Sequence, residues 1–332
     1  MSSLADLLKK DDKPIPVKQK NIYISQSLMK DLFDKHQEVV PHCPLMIYEK
    51  YITKQYRTEA TESMQAGLLG ETIILGASAK GGVTEALRPN KITGKPLTTE
   101  VNVRQMCELA QKVLTKHQVN IIKEYNTQVP INKHVRDNVY FLTELDLFPT
   151  MFIRYPDDKE AKIEIACIDI KFAPDAHGGF GAFDWSNVQY LDHCQPDSIF
   201  YLLTDFDIEL NKKFNPDFDK KVGYDNVFTS FIRQHLNKVK FYYMVIGYKK
   251  EIDFKQIRYI ERLREDEQNL RQKDFKQRLN KTINQVQFYN EFGWNPHPYH
   301  HKIGNMIKGC IKCPVNKSNG GYCDKADEIV SV

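Results

Sequence analysis

With 332 residues and 41% hydrophobic content, the chain can bury a full core as one large domain or as a domain with an appendage. Lys and Arg exceed Asp and Glu by four, a balance that neither demands nor excludes a nucleic-acid partner, because binding depends on where charges cluster. No apolar run of membrane-spanning length and no secretory cleavage pattern stands out, so a cytoplasmic protein without a membrane partner is expected. Seven cysteines, an odd number in a chain too large to need disulfide staples, favour reduced thiols or metal ligands.

Residues 1–20 are polar and Lys-rich and read as a flexible lead-in. The segment NIYISQSLMKDLF gives a short extended stretch and then a helix that Ser25 or Ser27 can cap. A second helix starts at Cys43 and Pro44, since Pro is well placed at a first helical position. From Glu62 to Ala77 a third helix is expected, with Met64, Leu68 and Leu75 on an apolar face that Glu71 interrupts. Residues 77–102, rich in Gly, Pro, Thr and Lys, read as a loop excursion. Beyond it Val103, Met106, Cys107, Ala110, Val113 and Leu114 make an amphipathic helix, with Cys107 in the core.

Strands are expected at 119–125, 137–147, 151–155 and 162–171, forming a meander, the last two joined by the turn PDDKE. After a Gly-rich loop come a helix near 188–203, an apolar strand at 239–248 and a long charged helix over about 254–291. The order implies an α/β fold with a mixed central β-sheet flanked by helices. Five segments follow: the lead-in 1–20, a helical segment 21–76, the excursion 77–102, a core 103–250 and a C-terminal segment 251–332.

In IEIACIDIK the strand period of two puts Ile163, Ile165, Cys167, Asp169 and Lys171 on one face, and Glu164, Ala166, Ile168 and Ile170 on the other. Burying Asp169 beside Lys171 in so apolar a strand costs free energy unless the two pair or a metal occupies the site. Phosphodiester hydrolysis would use such a set: carboxylates hold divalent cations that polarise phosphate and activate water, and a nearby cation orients that water. Asp146 in TELDLF is the natural second metal ligand, brought near Asp169 by an adjacent strand, and Glu71 the third contributor. The backbone carbonyl of Ile170 can complete the shell, because hard cations take oxygen ligands. Read alone, a D-x-K triplet is most often a surface ion pair; its apolar strand and the acids preceding it shift the balance.

These residues resemble the RecB-like branch of the PD-(D/E)XK nucleases, which includes AddB, lambda-type exonucleases and the CRISPR-associated exonuclease. ISQSLMKDL followed by HCPLMIYEKYI is similar to the opening pattern of that branch, GLLGE (Gly67 to Glu71) to its first acidic motif, LD at 145–146 to its second and DIK at 169–171 to its third. The resemblance implies a restriction-endonuclease-like core in which Asp146 and Asp169 bind Mg²⁺ or Mn²⁺, Glu71 assists and Lys171 positions the nucleophile. It further implies a DNA nuclease, an exonuclease acting on ends or single strands in replication, recombination or repair. The alternative is a non-catalytic DNA-binding or assembly module on the same fold. Two departures stand out. Gly70 and Glu71 occupy a place where the branch often has His. Gln195 and Tyr201, the candidate DNA contacts, are six apart rather than four, with Asp197 in the place four before Tyr201.

Near the C-terminal end KGCIKCPVNKSNGGYC supplies Cys310, Cys313 and Cys323, a spacing typical of metal knuckles that leaves one ligand to find. Cys43 is the candidate fourth, and the one-plus-three arrangement resembles the [4Fe-4S] staple of AddB and the CRISPR-associated exonuclease, which ties a chain's two ends together. Zinc competes, with His300 or His301 in place of Cys43. Cys167 and Cys194 read as structural. Candidate substrate contacts are the lysine-rich loop 80–96 and the aromatic residues Phe180, Phe183 and Trp185, while the charged helix reads as a solvated one laced by ion pairs.

Overall fold

The computed structural model describes residues 21–32, 43–55, 61–76, 86–87, 89, 92–119, 121, 126–155, 160–180, 183–187, 194–216, 218, 234–262, 270–294, 300–303 and 306–309. The lead-in 1–20, the tip of the excursion, and Cys310, Cys313 and Cys323 lie outside the described residues. The chain divides into two compact units, one of Met1–Thr58, Asp137–Val139 and Lys276–Val332, the other of Glu59–Arg136 and Tyr140–Phe275.

In the first unit, β1 (Ile22–Ser25) runs into α1 (Gln26–Leu32), whose Leu28 amide donates to Ser25 Oγ at 3.2 Å, so Ser25 is the cap. α2 (Pro44–Ile47) carries Cys43 as its N-cap residue and Pro44 in its first turn, then widens into a π turn over Tyr48–Ile52. Asp31 accepts from both Lys50 Nζ and Tyr51 Oη at 2.6 Å, tying that turn to α1.

The second unit starts with α3 (Glu62–Leu75), capped by Thr61, and α4 (Thr98–Lys116). α4 buries Val103, Met106, Cys107, Ala110 and Leu114, as its periodicity predicts. Then follow β2 (Thr127–Arg136), β3 (Val139–Leu147), β4 (Thr150–Arg154), β5 (Lys162–Ala173) and a small hairpin of β6 (Gly179–Phe180) and β7 (Phe183–Asp184). Next come α5 (Cys194–Leu203), α6 (Ile208–Phe214), β8 (Lys240–Gly247), β9 (Ile257–Arg262) and α7 (Leu270–Phe292), of which Leu270–Phe275 belong to this unit. The last pair, β10 (His300–Ile303) and β11 (Met306–Gly309), is an antiparallel hairpin of the first unit.

The central sheet has the order β4-β5-β8-β9, with β5 and β8 parallel and both outer pairs antiparallel. It is mixed, as expected for this α/β fold. Its even-numbered β5 residues Ala166, Ile168 and Ile170 join Tyr242, Met244 and Ile246 of β8 in one apolar core with α3 and α4. Gly70 is where α3 approaches the sheet most closely: a Cβ there would overlap the Phe172 ring, and Cys107 Sγ lies 3.9 Å from the Gly70 carbonyl. Thus α3 is held against the end of β5 that carries Lys171.

Four expectations need correction. The buried side of α3 is Ala66, Leu69, Gly70, Ile74 and Leu75, while Met64 is 52% exposed and Leu68 and Glu71 sit at the margin. That helix is apolar on most of its circumference, so periodicity alone did not fix its phase. Residues 137–171 do not form one meander: β3 neighbours β2 in a different sheet, and only β4 and β5 make a hairpin. The stretch 257–262 is the edge strand β9, not the start of a long helix, because β8 offers it a full ladder; its Glu261 pairs with Arg154 at 3.0 Å and Lys240 at 3.0 Å. Finally, Val119 and Ile121 lie outside any strand, whereas 127–136 is one despite Pro130; buried Asn211 exchanges two hydrogen bonds with the Asn132 backbone.

The α3 contact yields a paired prediction. Gly70→Ala should lower unfolding free energy by about 1–3 kcal/mol through overpacking against Phe172. Gly67→Ala, where an added Cβ meets nothing within 4 Å, should be neutral or stabilise by up to ~1 kcal/mol. Urea denaturation of both variants measures the difference.

Candidate active site

From Ala166 onward β5 is apolar on its even-numbered face, so the charged side chains of that stretch, Asp169 and Lys171, lie on the other. Along that odd face Cys167 and Asp169 are buried, and the Lys171 side chain keeps 25% of its surface exposed. β8 runs alongside in register, setting Phe241, Tyr243 and Val245 against Cys167, Asp169 and Lys171. Tyr243 is buried and meets the Trp185 ring edge-on, so Trp185 is a core residue here rather than an exposed stacking platform. The side chains of Phe180 and Phe183 lie outside the described set.

Asp169 is engaged on both oxygens: Lys171 Nζ forms an ion pair with Oδ2, and Gln195 Nε2 of α5 donates to Oδ1. Asp146 reaches the same strand by a different route. β4 stops pairing with β5 at Ala166, which leaves the next part of that edge without a ladder partner from β4. The end of β3 covers it: Ile170 N–H donates to Asp146 Oδ2 at 2.8 Å, and Cys167 Sγ lies 3.5 Å from the Leu147 carbonyl. The carboxylate therefore meets β5 through a side chain, not through an adjacent ladder. In a strand the N–H and C=O of one residue point to the same edge, so the Ile170 carbonyl faces the Asp146 side as well.

Electrostatics bring in the third acid. Burial pulls the Lys171 ammonium downward, but Asp169, Asp146, the hydrogen bond to Asp169, and Glu71 together hold its pKa above the ordinary lysine value. Glu71 thus acts on the same lysine from the margin of α3. Three carboxylates therefore bear on one ammonium in a partly buried pocket. The Cys167 thiol is pushed well up by burial, then by Asp169 and Asp146, so it stays neutral and acts as packing.

The donor set suits a hard divalent cation in chemistry, being carboxylate and carbonyl oxygen. Among the described residues no three His, Cys, Asp or Glu side chains converge closely enough to hold a metal by themselves. A shell built here therefore draws on main-chain or solvent oxygen, and a cation at Asp169 competes with Lys171 and Gln195 for its two oxygens.

Of the sequence candidates, Asp169 contacts Lys171 and Gln195, Asp146 contacts the Ile170 amide, and Asp146 and Glu71 lie within electrostatic range of Lys171. Tyr201 lies elsewhere on α5, its ring against Phe141 and Phe275 and under Lys133 Nζ at 4.7 Å. Cys43 is a half-buried free thiol within electrostatic range of Tyr289 in α7, and Tyr289 packs on Trp294, which in turn packs on Tyr48. Cys194 is buried in the first turn of α5. The mostly buried ion pair of Asp197 with Arg271, at 3.0 Å, was not foreseen; the residues are 74 positions apart and no local pattern links them.

No protein-family model matches the chain, and no curated protein matches it in sequence. In a comparison with solved structures, the crystal structure of a protein from Eubacterium rectale named "Putative exonuclease" aligns over 93% of this chain and 94% of its own, at 13% identity and a TM-score of 0.45. No helix among the described residues is long and apolar enough to cross a membrane.

Proposed function

We propose that this chain is a Mg²⁺- or Mn²⁺-dependent DNA nuclease, an exonuclease of the PD-(D/E)XK type, with Asp146, Asp169 and Lys171 at its catalytic centre and Glu71 assisting. The observation that carries the reading is the gathering of three acids from α3, β3 and β5 around Lys171, beside a main-chain segment whose oxygen and nitrogen face Asp146. The DNA substrate and the exonuclease class rest on the motif resemblance of GLLGE, LD and DIK.

Asp146, Asp169 and the Ile170 carbonyl would hold the cation, which when bound polarises the scissile phosphate and lowers the pKa of a water. Without the cation the Lys171 pKa is held above the ordinary lysine value; as an ammonium, Lys171 would orient the nucleophile or balance charge on the phosphate. Gln195 orients the Asp169 carboxylate through Oδ1.

End-labelled single- and double-stranded DNA digested with Mg²⁺ or Mn²⁺ tests this reading. Wild-type protein should cleave only with metal, and Asp146→Asn, Asp169→Asn and Lys171→Ala should each lower the rate by roughly 10²–10⁴-fold while DNA binding persists. Glu71→Gln should lose less. Binding without cleavage by well-folded wild-type protein would favour the non-catalytic module instead.

The same reading gives Cys43, Cys310, Cys313 and Cys323 a [4Fe-4S] cluster. It is supported by the placement of Cys43 within electrostatic range of Tyr289 in α7, the helix that precedes the other three cysteines in sequence. Protein purified without oxygen should be brown and contain about four iron and four sulfide per chain. Colourless protein with one bound zinc would establish the zinc alternative.

A further inference from the structure

We propose that the Arg271–Asp197 ion pair is a positioning device that clamps the first turn of α5 so that Gln195 stays on Asp169. The proposal rests on the nuclease reading for its catalytic consequence and on geometry alone for the clamp.

Gln195 and Asp197 are two positions apart on one helix, so their side chains diverge by about 200° around its axis. Gln195 faces β5 and donates to Asp169, while Asp197 faces the start of α7, where Arg271 Nη2 donates to its Oδ1 at 3.0 Å. The Gln272 amide donates to the Asp197 carbonyl at 3.3 Å, and Ser198 Oγ donates to the Gln195 carbonyl at 2.7 Å. The turn is thereby gripped on opposite sides. At the other end of α5, Lys133 Nζ donates to the carbonyls of Tyr201 and Thr204, where a cation complements the helix dipole.

Asp197 and Arg271 retain only 6% and 19% of their side-chain surface. A pair buried to that degree adds little net stability over an apolar pair of the same size, because desolvation offsets attraction; its distinctive contribution is a fixed geometry. Asp197 also stands where the motif of the resembling branch has its glutamine, four before Tyr201. In this chain the glutamine reaching Asp169 lies two residues earlier, and the acid in its usual place is neutralised by Arg271.

The test uses full-length protein labelled with [15N]glutamine, in which the Gln195 side-chain amide pair is identified by its loss in Gln195→Ala. In Arg271→Gln and Asp197→Asn this pair should move toward the position of a solvated glutamine, with solvent exchange faster by about 10-fold or more. Arg271→Lys, which keeps the charge, should retain most of the wild-type signal. With DNA as substrate, kcat should fall about 10-fold in the first two variants while KM stays within about 2-fold, well below their melting temperatures. An unmoved amide pair in folded Asp197→Asn protein, or a moved pair with unchanged kcat, overturns the proposal. If wild-type protein cleaves no DNA, the nuclease reading fails separately, and the amide signal alone then decides whether the clamp exists.

Discussion

The placement of Lys171 between acids is the constraint on which the rest depends. A lysine at the end of an apolar strand is tolerable only where negative charge compensates its lost hydration, and here Asp169, Asp146 and Glu71 supply that charge. The acids meet there because three elements are each fixed by unrelated packing. β5 is fixed by its even face in the core, α3 by the contact of Gly70 with Phe172, and β3 by the Asp146 carboxylate taking the Ile170 amide where β4 has ended. Chemistry and fold are joined at one strand whose two faces have opposite roles.

That strand was legible in the sequence because period-two alternation in IEIACIDIK has one consistent reading, and the structure keeps it: Ala166, Ile168 and Ile170 lie in the core and Asp169 and Lys171 lie together on the other face. The buried stripe of α4 was legible for the same reason, while the sequence left the cap of α1 open between Ser25 and Ser27 and the fold uses Ser25. What failed was everything decided by a distant partner. The phase of α3 is set by Phe172 over a hundred residues away, and β9 is a strand because β8 pairs with it, although IRYIER carries a charge pattern equally suited to a helix. β2 contains a Pro and several polar residues that argue against a strand, and its exposed groups are met by Asn211, which no local pattern announces.

The candidate site divides along the same line. Asp146, Asp169 and Lys171 carried their chemistry in short motifs. Arg271 carried none, since its importance arises only where the start of α7 meets the first turn of α5. Gln195 was expected as a possible contact to DNA, and in the fold its amide is directed at Asp169.

The central claim is that the acids gathered around Lys171 hold a divalent cation. Diffraction data collected at the manganese absorption edge from crystals grown with Mn²⁺ test it most directly. The account predicts an anomalous peak bounded by Asp146, Asp169 and the Ile170 carbonyl, with the Lys171 ammonium moved off Asp169. Manganese absent from that position, with the Lys171–Asp169 pair intact at saturating Mn²⁺, would contradict it.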